Sequence, residues 1–238
     1  MNKVIVAAVL AACTAGTAQA EGWGYHGAHG PEHWGEVAKT CATGQNQSPV
    51  NIQSATEANL EPLKLSYPGM VTQLNNNGHT IQASVAGDNT LELDGQKFTL
   101  KQFHFHTPSE NRLNDQQFPL EAHFVHANAD GQLAVVSVMY KIGSQDPALS
   151  KLLKTLPANG QQVSVASLPV EQLLPNLDHY YRFNGSLTTP PCSEGVRWIV
   201  LPEAKSLTSA QQAALVDTMG HNNRPIQPHN ARLILRNQ

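Results

Sequence analysis

The stretch Gln102-Phe103-His104-Phe105-His106 sets two imidazoles two positions apart, and Glu121-Ala122-His123-Phe124-Val125 supplies a third. Both stretches alternate as strands do, sending successive side chains to opposite faces. Gln102, His104 and His106 then share one face, with Phe103 and Phe105 on the other. Glu121, His123 and Val125 share a face opposite Ala122 and Phe124. If the two strands pair antiparallel, three imidazoles meet at one point. Three neutral imidazoles suit zinc, and three protein ligands leave the fourth tetrahedral position open for water. A single His on a strand is more commonly a hydrogen-bonded core residue. The argument for a metal is the third His, in phase on a second strand. Gln102 and Glu121 add to it, because a metal-bound His usually passes its other ring N–H to an acceptor. Each stands two residues before a candidate ligand, on the same face.

The rest of the chain must hold these strands in place. Between them lie Pro108, Ser109, Asn111, Asn114, Asp115 and Pro119, residues that favour turns. From Leu60 the pattern is short strands broken by Asn and Gly. Thr80 to Val85 alternates, and Leu91 to Phe98 predicts a hairpin around Asp94-Gly95. Leu133 to Tyr140 is an apolar run long enough for a buried strand. Helices are few. Asp146-Pro147 predicts a capped start, with Leu149, Leu152, Leu153 and Leu156 on its apolar face. Thr208 to Gln211 reads as a capping box opening a second helix through Met219. No period is visible over residues 21–40, and His26, His29 and His33 there read as surface or packing residues.

Gln-Phe-His-Phe-His followed by Glu-x-His-x-Val-His resembles the zinc site of an α-class carbonic anhydrase of the exported bacterial type. Further signatures of that family follow in order, from Trp23-Gly24-Tyr25 through Gln47-Ser48-Pro49-Val50-Asn51-Ile52 to Asn222-Asn223-Arg224-Pro225. The resemblance implies a mainly β (α+β) single domain over residues 21–238, built on a large twisted, mostly antiparallel sheet with a few short peripheral helices. It also implies a cis Ser48–Pro49 bond. One zinc ion per chain, on His104, His106 and His123, would serve the reversible hydration of carbon dioxide to bicarbonate, with side esterase activity on activated esters.

It assigns further roles. Thr188, in Ser186-Leu187-Thr188-Thr189-Pro190-Pro191-Cys192, takes a hydrogen bond from the nucleophile and donates its own proton to Glu110. Thr189 helps hold the product. Val125, Val135, Leu187, Val196 and Trp198 form an apolar pocket suited to carbon dioxide. His79 is the proton shuttle, and Tyr25, Asn76 and Gln82 line the path to it. Gln82 departs from the family pattern, where many animal members carry Asn. Arg224 resembles a structural arginine near the site. Asn223 stands where the family often has Trp, and no function is drawn from it.

Charged residues make up 14% of the 238 and the net charge is -3, which excludes a basic nucleic-acid footprint and a polybasic membrane patch. Residues 1–20 read as a signal peptide: Lys3, an apolar run from Val4 to Ala12, and Ala18-Gln19-Ala20 before Glu21. Lys3 is the one charge in that leader, so its removal takes the net charge from -3 to -4. Leu10-Ala11-Ala12-Cys13 also resembles a lipoprotein cleavage box, but the apolar run before it is short. Export to the periplasm without a lipid is therefore expected. Cleavage leaves Cys41 and Cys192, either one disulfide or two buried thiols. The resemblance implies the bridge, and exported relatives often form homodimers. The competing reading is a catalytically inactive carbonic-anhydrase-like binding domain. Such domains typically lack a zinc histidine, and here all three are present.

Overall fold

The computed structural model of the chain describes residues 22–237. The leader expected over residues 1–20, with Cys13 and the cleavage site before Glu21, lies outside them. Ten strands form the main path of one large sheet. In chain order they are β1 (Thr56–Ala58), β2 (Met70–Asn76), β3 (Ile81–Ala86), β4 (Gln96–His106), β5 (Leu120–Ala127), β6 (Leu133–Ile142), β7 (Gln162–Pro169), β8 (Tyr181–Ser186), β9 (Glu194–Leu207) and β10 (Leu235–Asn237). Their order across the sheet is β7-β2-β3-β4-β5-β6-β9-β8-β10-β1. Neighbours run antiparallel except β6 with β9 and β10 with β1. Among the described residues no helix is long and apolar enough to cross a membrane.

The centre of the sheet is buried on both faces. Along β6, Ala134, Val136, Val138 and Tyr140 enter one apolar cluster, while Val135 and Met139 enter another on the opposite face. Double burial explains why this strand reads as a continuous apolar run. Phe103, Phe105 and Phe124 belong to the first cluster and are at most 1% exposed. Phe103 and Phe124 stack across β4 and β5 with centroids 5.0 Å apart. Burying each such side chain stabilises the fold by roughly 2–3 kcal/mol, so the aromatic half of each motif anchors the strand whose other half carries the histidines.

Local signals behave as expected. Asp94 and Gly95 take φ of 53° and 70° at the turn between Thr90–Leu93 and β4. Asp146 accepts the Leu149 N–H at the head of the helix Pro147–Leu153, which stops before Leu156. Thr208 and Gln211 close a capping box on Ser209–Met219. Ser48–Pro49 is cis. Where no period was visible, the chain makes single turns: Gly27–His29, Pro31–His33, Trp34–Val37 and Thr40–Thr43. Between the motif strands, Arg112–Leu113 and Gln116–Gln117 pair around Asn114 and Asp115 and join Asn51–Ile52 in a second, three-stranded sheet.

Candidate metal centre and active site

The register of β4 and β5 makes His104 and His123 direct cross-strand partners, with His106 opposite Glu121 and Gln102 opposite Val125. The three imidazoles each offer a ring nitrogen, and these lie within 4.8 Å of one another. The other nitrogen of each ring is already engaged. His104 Nδ1 is 2.9 Å from Gln102 Oε1, His106 Nδ1 is 2.7 Å from the Asn222 carbonyl, and His123 Nε2 is 2.8 Å from Glu121 Oε1. Three acceptors thus fix three tautomers and aim His104 Nε2, His106 Nε2 and His123 Nδ1 at one another. His106 Nε2 is buried without a hydrogen-bond partner. A native structure seldom leaves such an atom orphaned, and a metal ligand has that need. Burial, followed by the neighbouring histidines, holds the His104 pKa well below its ordinary value, and burial lowers that of His106. Neutral rings are the form that binds a cation.

Glu121 holds more than His123. Its Oε1 also accepts from Ser137 Oγ at 2.6 Å and Asn111 Nδ2 at 2.7 Å, and its Oε2 accepts the backbone N–H groups of Glu110 and Asn111 at 2.7 and 2.9 Å. His123 and these donors outweigh burial and draw its carboxyl down to about 2. Through its backbone, Glu110 is thereby positioned by the carboxylate that orients His123. Glu110 Oε1 accepts the Arg224 N–H at 2.8 Å, while Oε2 lies 3.4 Å from His106 Nε2 and has no hydrogen-bond partner. Burial pushes the Glu110 carboxyl up to about 7, against His123, the Arg224 N–H and the nearby Thr188 hydroxyl.

The family model for eukaryotic-type carbonic anhydrase matches residues 29–238. The chain belongs to the eukaryotic-type carbonic anhydrase family. A carbonic anhydrase of Pectobacterium atrosepticum is 46% identical over 241 residues, covering 98% of this chain and 99% of its own. The solved α-carbonic anhydrase of Photobacterium profundum aligns with a TM-score of 0.89 at 56% identity, over 90% of this chain and 100% of that one. That of Thermovibrio ammonificans, in complex with the inhibitor sulfanilamide, gives 0.87 at 44% identity, over 90% and 98%. The expectation of a carbonic anhydrase enzyme on a mainly β fold stands with these relatives.

The other expected carbonic anhydrase positions fall into place unevenly. Val135 pairs with Trp198 and with Val125 on the face that carries the three imidazoles, and Leu187 and Val196 join the same apolar cluster. The Trp198 ring meets His123 edge-on, centroids 4.9 Å apart, so this apolar wall adjoins the imidazole cluster. Thr188 is 6% exposed and close enough to act on Glu110, although Glu110 Oε2 remains without a closed hydrogen bond. Gln82 pairs with His104 on the adjacent strand. Tyr25 packs edge-on against Trp23 and Trp34, and burial followed by the Glu110 charge raises its pKa.

Asn76 is not with them. It pairs with Ile81, a core residue, and its amide bonds to Pro157 O at 3.2 Å, Thr218 O at 3.4 Å and the Gly78 N–H at 3.1 Å. Strand alternation puts it on the face away from Gln82, and both its amide N–H groups are spent on carbonyls there. Cys41 and Cys192 form a disulfide, which joins the Thr188–Thr189 loop to the N-terminal segment. Arg224 donates to the Cys41 carbonyl, Gln47 Oε1 and the Ser48 carbonyl at 2.8–3.0 Å, a structural clamp.

Sequence reasoning missed Asn222, Asn111 and Ser137. Asn222 serves His106 through a backbone carbonyl 116 positions away, which any residue type could supply. Ser137 had a usable signal: it is the polar residue in the apolar run of β6, and it faces His123 across the ladder.

Proposed function

We propose that this chain catalyses the reversible hydration of carbon dioxide to bicarbonate and a proton, using one zinc ion held by His104, His106 and His123. The observation that carries the reading is the convergence of three ring nitrogens whose opposite nitrogens are all committed to acceptors. The residues fit the metal: the donors are three imidazoles, and His106 Nε2 lacks any other partner. Bound there, zinc supplies a water acidified to about pKa 7 and hence a nucleophile at neutral pH, a value general to carbonic anhydrases rather than read from this geometry.

The chain's own groups do the rest. Gln102, Glu121 and Asn222 hold the ligand rings in one tautomer. The Thr188 hydroxyl orients the nucleophile by accepting a hydrogen bond from it and donating its own to Glu110. Thr189 steadies the product. Val125, Val135, Leu187, Val196 and Trp198 offer carbon dioxide an apolar surface beside the metal, where little water competes.

His79 accepts the proton that each turnover releases. Passing a proton from a group of pKa about 7 directly to bulk water climbs about 12 kcal/mol, which caps turnover at roughly 10³–10⁴ per second. An imidazole titrating near neutrality removes that climb. Burial lowers the His79 pKa somewhat, and the ring remains partly exposed, as a carrier between interior and solvent must be. Tyr25 and Gln82 flank the route. Activated esters would be attacked by the same nucleophile in a side reaction. The domain of residues 21–238 works after export, in the periplasm, and the Cys41–Cys192 disulfide supports an oxidising compartment.

Stopped-flow carbon dioxide hydration by the purified wild-type chain and by Thr188→Ala tests the reading. Wild type should be active, and the variant should keep its metal and lose about 10²-fold in kcat/KM. An unchanged variant would remove Thr188 from the mechanism, and an inactive, metal-loaded wild type would remove the function.

A further inference from the structure

Asn222 is fully buried, and every polar group of its side chain is in use. Oδ1 accepts the Thr107 N–H at 2.7 Å. Nδ2 donates to the Phe105 carbonyl at 2.9 Å and to the His79 carbonyl at 3.0 Å. The backbone carbonyl of the same residue accepts from His106 Nδ1 at 2.7 Å. One residue therefore grips the end of β4 on both sides of His106, holds His106 itself, and reaches across to the turn that carries His79. The turn is also held by Asn77 Oδ1, which accepts the N–H groups of His79 and Thr80 at 3.0 and 2.9 Å, and by the Trp23 indole stacked on the His79 ring. Thr80 Oγ1 also donates to the Phe105 carbonyl, at 2.6 Å, so turn and strand share an acceptor.

We propose that the Asn222 side chain is a positioning residue that sets the spacing between the His79 turn and the metal-ligand end of β4. The inference rests on the reading of His79 as proton acceptor. The planar amide is suited to the task because its donors and its acceptor point in fixed, opposite directions. It addresses the two elements at once, with one N–H group committed to each. A displacement of about 1 Å far from the chemistry can cost as much as 10²-fold in rate. The contact that holds the His106 ring is the Asn222 backbone carbonyl, which a side-chain substitution keeps, and the apolar wall and Thr188 lie on other elements, so loss of the side chain falls on the proton step.

The test is a double-variant cycle in weak buffer with Asn222→Ala and His79→Ala. Asn222→Ala should keep one zinc per chain and lower kcat about tenfold, with kcat/KM changed less than about twofold. Added imidazole should restore the loss. In the His79→Ala background the same substitution should change kcat by less than about twofold, because the step it serves is already gone. In zinc-free protein the His79 ring resonance should shift in the variant, a readout independent of activity. Equal falls in kcat and kcat/KM, or additive losses in the double variant, would overturn the role of Asn222 while leaving His79 in place. An unchanged kcat in His79→Ala alone would refute the shuttle reading and this inference with it. Should Asn222→Ala fail to fold, Asn222→Ser is read by the same criteria. Failure of both would mark Asn222 as purely structural and overturn the proposal.

Discussion

The His79 imidazole lies flat on the Trp23 indole, with ring centroids 3.9 Å apart and 9° between the planes. Trp23 in turn meets Trp34 edge-on at 5.3 Å, so the aperiodic N-terminal segment carries a rigid aromatic wall against the turn that bears His79. Burial lowers the His79 pKa, and the indole is a wall of that burial. Trp23→Ala should therefore raise the His79 pKa toward its ordinary value, as followed by NMR of the ring proton against pH. A pKa that stays put or falls would show that the stack does not tune the ring.

His79→Ala should lower kcat in weak buffer while kcat/KM for carbon dioxide stays nearly intact, because hydration precedes the proton transfer. Imidazole buffer should restore most of the loss. Equal losses in both parameters would place His79 in the hydration step or in the fold.

Glu121 binds His123 Nε2 and the Glu110 backbone with one carboxylate. Glu121→Gln can present its amide oxygen to one of these groups but places a donor against the other. Zinc affinity, measured by competition with a chromophoric chelator, should fall about 10- to 100-fold. An unaltered affinity would mean that ring orientation is set by packing alone.

The strands and the histidine cluster were legible in the sequence because they rest on a period of two. His104, His106 and His123 are in phase with each other and out of phase with Phe103, Phe105 and Phe124, and the ladder preserves that phase. The Asp94-Gly95 turn and the caps at Asp146 and Thr208 were legible because each rests on one residue type with a local bond to make. Asn76 was misplaced because resemblance gave it a role without giving it a face. Its partner Ile81 is fully buried, which puts Asn76 on the core side. Contacts such as Trp23 with His79 and Asn222 with His106 join segments more than fifty positions apart, and no periodicity encodes them.

His126 is fully buried, with Nε2 2.5 Å from the Tyr67 hydroxyl and Nδ1 3.2 Å from the Ala134 carbonyl. Burial lowers its pKa to about 4. The unfolded chain binds this proton near pH 6.5 and the folded chain only near 4. Stability from this group is thus complete above 6.5 and is lost as pH falls through the folded pKa, by about 3 kcal/mol at the limit. Urea denaturation between pH 7 and 4 should show His126→Gln with a shallower fall than wild type. Parallel curves would mean that His126 is charged in the fold or does not titrate there.

The Cys41–Cys192 disulfide spans 151 positions. Closing a loop of that length stabilises by at most about 5 kcal/mol in the chain-entropy model. Reductant should lower the urea midpoint of wild type and leave the Cys41→Ser/Cys192→Ser variant unchanged. A wild-type midpoint indifferent to complete reduction would show that the bridge adds no stability.

The central claim is that His104, His106 and His123 hold the one metal on which hydration depends. The most direct measurement strips the folded chain of metal with a chelator, then adds zinc back in known amounts while carbon dioxide hydration is followed by stopped flow. Activity should return in proportion to zinc and stop rising at one equivalent per chain, and His106→Ala should recover none. Full activity in the stripped protein, or a plateau at one equivalent that His106→Ala reproduces, would contradict the account.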